Sequence, residues 1–127
     1  MKTITSRTEK KLADIKSEIV QVEAKLKADF LYNFKWGYGE QLYVWKGLEI
    51  KVTSFLGFLK TNPIIELEPY LEEMVKLITE TLIGSVMKQK GNDSHAVAES
   101  LDLQVLKLTT DFYKILLECI NEGETLN

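Results

Sequence analysis

Two residues of the chain belong to the types that most often carry nucleophilic catalysis, His95 and Cys119, and each is the single residue of its type. A thiol beside an imidazole forms an activated nucleophile, and Asp93, two positions before the histidine, could orient its ring. Both residues fall on one predicted helix, and a spacing of 24 positions separates them by ~36 Å at 1.5 Å per residue. The sequence therefore predicts that they do not act together, and that His95 is a surface residue near a helix start.

Glutamates are concentrated in one stretch and raise the question of metal chemistry. The stretch contains Glu66, Glu68, Glu72, Glu73 and Glu80. A di-iron helical bundle needs a Glu-x-x-His motif on each of two helices, which one histidine cannot supply. Anionic side chains are also favourable near a helix N-terminus, because the helix dipole attracts them. We therefore expect a solvent-exposed acidic face, with docking of a basic partner as the alternative; no metal, cofactor or catalytic residue is predicted.

Aromatic side chains gather around a glycine turn in the segment NFKWGYGEQLYVWKGL, which covers residues 33–48. Both tryptophans of the chain lie here, and Trp and Tyr combine a large apolar area with a polar atom that needs a partner. The candidate aromatic binding surface consists of Phe34, Trp36, Tyr38, Tyr43 and Trp45. Filling of one end of the core is the main expectation, and a partner surface or a pocket for a small apolar ligand is the alternative.

Composition and length indicate one helical domain. The chain has 127 residues, of which 45% are hydrophobic, and it contains two prolines and seven glycines. So few helix breakers favour helices over sandwiches or barrels. One cysteine cannot form an intramolecular disulfide, and no apolar run is long enough to span a membrane, so a soluble cytoplasmic protein is expected.

The two halves of the chain differ in charge. Residues 1–60 carry 11 Lys/Arg and 7 Asp/Glu, whereas residues 61–127 carry 5 and 12. The halves are expected to attract each other within one bundle. Nucleic-acid binding through the basic half is a less favoured reading, because acidic residues interleave the basic ones.

The first predicted helix, 7–36, carries a narrow apolar stripe typical of a coiled coil. Ser6 and Glu9 have the spacing of a capping box. The stripe, which is the candidate partner or dimer interface, consists of Leu12, Ile15, Ile19, Val22 and Leu26. It is expected either to pack within the bundle or to join two copies, because this helix is predicted to overhang its neighbours by about two turns.

Three further helices are predicted over 40–60, 63/69–90 and 94–121. The second is separated from the first by Gly37 and Gly39, and its apolar face consists of Leu42, Trp45, Val52, Leu56 and Leu59. Residues 40–53 also alternate as in a β-hairpin, but the helical stripe is longer and is favoured. The last helix carries an apolar stripe of Val97, Leu101, Val105, Leu108, Phe112, Ile115 and Cys119.

Four helices with short connections predict a single all-α domain over 1–127, an antiparallel up-down-up-down four-helix bundle with a partly coiled-coil-like first helix. The function that these features favour is a non-enzymatic protein–protein interaction module, of an accessory, regulatory or inhibitory kind, that forms a homodimer through its first helix. The alternative is a bundle that binds a small apolar ligand near Trp36 and Trp45.

Overall fold

The computed structural model describes residues 3–29, 37–62, 66–88 and 96–127, and their side chains except those at 85–88 and 96–99. This part of the chain contains four α-helices and no β-strand. The helices are α1 (Ile4–Ala28), α2 (Tyr38–Thr61), α3 (Leu67–Lys88) and α4 (Ala96–Asn121). The all-helical prediction is confirmed, and residues 40–53 lie within α2 rather than in a hairpin.

Helix α1 begins three residues before the predicted start, because its capping box is formed by Thr3 and Ser6. The Ser6 amide donates to Thr3 Oγ1 at 3.1 Å, and the Thr3 amide donates to Ser6 Oγ at 2.9 Å. The box predicted at Ser6 and Glu9 is therefore wrong. The earlier start places Ile4 within the first turn, where its side chain is fully buried.

Substitution of Thr3 by alanine is expected to lower the free energy of unfolding by about 1 kcal/mol, because one amide of the first turn then loses its acceptor. Urea unfolding followed by far-ultraviolet circular dichroism measures the change. Ser17→Ala is the matched control, since Ser17 is exposed in the middle of α1 and alanine there improves helix propensity. Equal stability of Thr3→Ala and the unmodified chain would contradict the role of this cap.

Helix α1 ends at Ala28, whereas the sequence predicts a helix up to residue 36. Asp29 adopts extended backbone with φ −155° and ψ 90°, which stops the helix. Helices α1 and α2 contain 25 and 24 residues, so the predicted overhang of two turns is not seen in the described residues. The segment 30–36 lies outside the described part of the chain.

Glycine and asparagine mark the two ends of α2. Gly37 precedes the helix with φ 85°, a left-handed conformation that residues with a Cβ rarely adopt. At the other end, the Asn62 side-chain amide donates to the Phe58 carbonyl at 3.0 Å. This bond satisfies one of the carbonyls that a helix C-terminus leaves without a partner in its own helix.

Helix α2 packs along both α1 and α4, and α4 packs along α3. Ion pairs join Glu9 to Lys60 at 3.7 Å and Glu23 to Lys46 at 3.4 Å, so residue numbers rise along α1 as they fall along α2.

Residue numbers rise in the same direction along α2 and α4. Tyr43 contacts Asp102, Gly47 lies against Val105, and Phe55 and Tyr113 have ring centroids 5.0 Å apart. Helix α3 meets α2 near its own start, where the rings of Phe58 and Tyr70 stack at 4.5 Å. Helix α4 rather than α3 is therefore the second neighbour along the length of α2.

Residues of all four helices form one buried cluster. Its most deeply buried members are Ile4, Ile15, Leu48, Val52, Leu59, Leu71 and Leu116. Two threonines of α4 lie in the buried region, and each hydroxyl donates to the carbonyl four residues earlier, at 2.7 Å for Thr109 and 2.9 Å for Thr110. Burial raises the pKa of Tyr113 to about 12, so the phenol remains neutral.

Candidate functional site

The apolar stripe of α1 lies in the chain's own core. Ile15, Ile19, Val22 and Leu26 are buried, and Leu12 is half-buried against the same cluster. The stripe is therefore covered by helices of the same chain, and a dimer through it would require α1 to leave the core.

Three of the five aromatic residues of the candidate surface are described, and they differ in exposure. Tyr38 is half-buried, with Lys25 Nζ 5.0 Å from its ring centroid. Trp45 packs against the edge of the core, whereas Tyr43 is 48% exposed. Phe34 and Trp36, like His95 and Asp93, lie outside the described residues.

Cys119 of α4 is buried near Arg7 of α1 and near Glu124 of the C-terminal tail, which covers residues 122–127. Burial raises the pKa of its thiol, and a hydrogen bond with Glu124 raises it further. The protonated thiol is a poor nucleophile, because thiolate is the reactive form.

The glutamates singled out in the sequence are all exposed. In the described part of the chain, no group of three or more His, Cys, Asp or Glu residues is arranged to hold a metal ion. Within that same part, none of the helices combines the length and apolarity that crossing a membrane requires.

Helix α4 leaves part of its predicted core stripe in water. Val105, Phe112 and Cys119 are buried, but Leu108 is 37% and Ile115 is 51% exposed. The buried face of α4 also includes Thr109, Tyr113 and Leu116. This face is therefore rotated about the helix axis relative to the stripe that the sequence predicts. The α4 stripe, defined as Leu101, Leu108 and Ile115, repeats every seven residues along the edge of this face.

A groove adjoins the α4 stripe where α2 and α4 begin. This Trp45 groove has a volume of about 470 Å³. Its lining includes Val44 and Trp45 on α2 and Leu101, Gln104 and Leu108 on α4. The groove shares Leu101 and Leu108 with the α4 stripe, and the polar residues Glu40, Gln41 and Gln104 also line it.

A larger groove of about 660 Å³ lies between the same two helices, about half a turn further round α2. In this Gly47 groove the apolar walls are formed by Leu42, Tyr43, Ile50, Val105 and Leu106. Its charged lining residues are Lys46, Lys51 and Asp102. Trp45 does not line this groove. The larger groove therefore differs from the ligand site that the sequence predicts near Trp36 and Trp45.

Helices α2 and α4, which form the walls of the Gly47 groove, approach each other at Gly47 and are joined by a hydrogen bond from Tyr43. A Cβ atom at Gly47 would lie 2.7 Å from Val105 Cγ2, so α2 and α4 approach this closely only because position 47 is glycine. Tyr43 Oη donates to Asp102 Oδ1 at 2.6 Å. This hydrogen bond and the charge of Asp102 raise the pKa of the Tyr43 phenol, which keeps it a proton donor.

Comparison with protein-family models, curated proteins and solved structures finds no match to this chain. No activity, ligand or partner is therefore transferred from a relative, and the function is inferred from the two grooves and the α4 stripe.

Proposed function

We propose that this protein is a non-enzymatic protein–protein interaction module that binds a helix of another polypeptide through the α4 stripe and the Trp45 groove. The observation that carries the proposal is the exposure of Leu108 and Ile115, which are 37% and 51% exposed beside the buried face of α4. Apolar residues repeated every seven positions are typical of helices that pack against another helix.

The partner proposed for the stripe is a second copy of the chain. A two-fold symmetric interface places the same surface on both subunits, so two α4 stripes can pack against each other. A regulatory or inhibitory role would follow if another helical protein competes for the same stripe.

We also propose an antiparallel up-down-up-down order for the bundle. The opposite numbering of the α1–α2 ion pairs and the shared direction of the α2–α4 contacts support this order. The buried, unpaired thiol of Cys119 is compatible with a reducing compartment, and we propose the cytoplasm.

The double substitution Leu108→Glu with Ile115→Glu tests self-association. Sedimentation equilibrium of the unmodified chain at tens of micromolar should give a dimer mass. The dimer dissociation constant of the variant should be at least about a hundredfold higher, because two apolar side chains lose their burial and four like charges meet at the interface. Its circular dichroism spectrum should not change, since both positions are already exposed.

Val20→Glu is the matched control for surface charge. Val20 is 65% exposed on α1, outside the α4 stripe, so this variant should dimerise like the unmodified chain. A monomer mass for the unmodified chain across the concentration range would contradict self-association. Equal weakening by Val20→Glu would show that negative charge in general, rather than the stripe, controls the mass.

Binding of a small apolar ligand is the second candidate function. The Gly47 groove favours it, because its volume of about 660 Å³ falls within the range of about 300–1,000 Å³ typical of small-molecule sites.

A further inference from the structure

The Gly47 groove exposes apolar surface that the chain's own packing leaves uncovered. Ile50 on its wall is 65% exposed, and Tyr43 is 48% exposed. Gly39 and Gly47 lie two helical turns apart on the same wall and contribute no side chain to fill the space. Val105 is buried against Gly47, and Leu106 continues the apolar lining. The groove therefore suits an unbranched apolar chain.

The charges at the groove favour an anionic end on that chain. Lys46 and Lys51 both line it. Lys46 lies 3.4 Å from Glu23, with side chains that are 55% and 37% exposed, and a partly solvated ion pair of this kind contributes little. The acidic lining residue, Asp102, accepts the Tyr43 hydroxyl at 2.6 Å. One oxygen of the Asp102 carboxylate is therefore already hydrogen-bonded within the groove, and Lys46 and Lys51 are its cationic lining residues.

We propose that the Gly47 groove binds a free medium-chain carboxylate, with the alkyl chain on Ile50, Val105 and Leu106 and the carboxylate between Lys46 and Lys51. This assignment names a ligand class for the second candidate function and does not involve the α4 stripe. If no carboxylate binds in the Gly47 groove, the proposed self-association through the α4 stripe is unaffected.

Isothermal titration calorimetry with decanoate below its micelle concentration tests the assignment on the full chain. Saturable binding is expected, and dodecanoate should bind about tenfold more tightly, because each additional methylene leaves water. Decyltrimethylammonium, which has the same chain and the opposite charge, should bind at least tenfold more weakly than decanoate. The double variant Lys46→Gln with Lys51→Gln should abolish this discrimination.

Ile50→Asp should eliminate decanoate binding, because it introduces a negative charge on the groove wall. Val20→Asp is the control, since Val20 has the same 65% exposure on another helix, and it should bind decanoate normally. Unchanged binding by Ile50→Asp would overturn the location, and absence of saturable binding to any alkyl compound would overturn the ligand site as a whole.

Decanol has the same alkyl chain as decanoate but no charge, so it tests whether the groove recognises the carboxylate or only the chain. Equal affinity for decanol and decanoate would keep an apolar ligand site but overturn carboxylate recognition. Co-sedimentation with phosphatidylglycerol vesicles that Ile50→Asp abolishes would assign the groove to a membrane surface and overturn the free-carboxylate assignment.

Discussion

Replacement of Gly47 by leucine should lower the free energy of unfolding by about 3 kcal/mol, at the upper end of what overpacking in a core costs. The Cβ atom alone would lie 2.7 Å from Val105 Cγ2 and 3.3 Å from Cγ1. Valine is short and β-branched, so it cannot rotate both methyl groups away. Helices α2 and α4 must then move apart, and the contact between Phe55 and Tyr113 further along the same pair should loosen.

Gly57→Leu is the matched control for this prediction. Gly57 lies in the same helix, and a Cβ atom there would meet nothing within 4 Å. Leucine at this position should stabilise the helix by roughly 0.5–1 kcal/mol, because glycine is a poor helix former. Urea unfolding of both variants measures the difference. Similar effects at the two positions would show that close approach of the helices is not the reason for glycine at position 47.

Truncation of the chain after Glu124 should lower the free energy of unfolding by at least about 2 kcal/mol, since two backbone hydrogen bonds of roughly 1 kcal/mol each are lost, together with the bonds that the Thr5 hydroxyl donates to Leu126 and Asn127. The amides of Ile4 and Thr5 donate to the carbonyls of Thr125 and Leu126, both at 3.0 Å. These amides belong to the first turn of α1, where no carbonyl of the same helix can accept them. The tail therefore acts as a second cap, supplied from the other end of the chain.

Thr125→Ala controls for the side chains of the tail. Thr125 bonds α1 through its backbone carbonyl, and its exposed hydroxyl donates within the tail, to the Asn127 carbonyl at 3.1 Å. This substitution should change stability by less than about 0.5 kcal/mol. Thermal and urea unfolding compare both variants, and a truncated chain as stable as the unmodified one would refute the capping role.

The Arg7–Glu124 ion pair is a separate component of the same junction. Arg7 Nε and Nη2 donate to the two carboxylate oxygens of Glu124 at 2.6 and 2.7 Å. The hydrogen bond to Glu124 raises the pKa of the guanidinium. Truncation after residue 124 leaves this pair in the chain, so its effect stays distinct from that of the backbone bonds.

The sequence predicted part of the candidate site and missed the rest for a physical reason. The sequence indicates Tyr43 and Trp45, because aromatic residues are conspicuous beside a glycine turn. Gly47 carries a weaker signal, since a glycine within a helical pattern only suggests close approach of another element. Its partner Val105 lies in another helix, and no local pattern connects the two positions.

The sequence by itself determined four helices, the glycine that precedes α2 and the end of α4 at residue 121, because periodicity and helix-breaking residues act locally. Only the tertiary structure decided which apolar residues enter the core. Ile15 and Ile19 are buried, while Leu108 and Ile115, at equivalent positions of an equally regular stripe, remain partly in water. A helical period defines a face wider than one contact, and the position of neighbouring helices selects the part of that face that is covered.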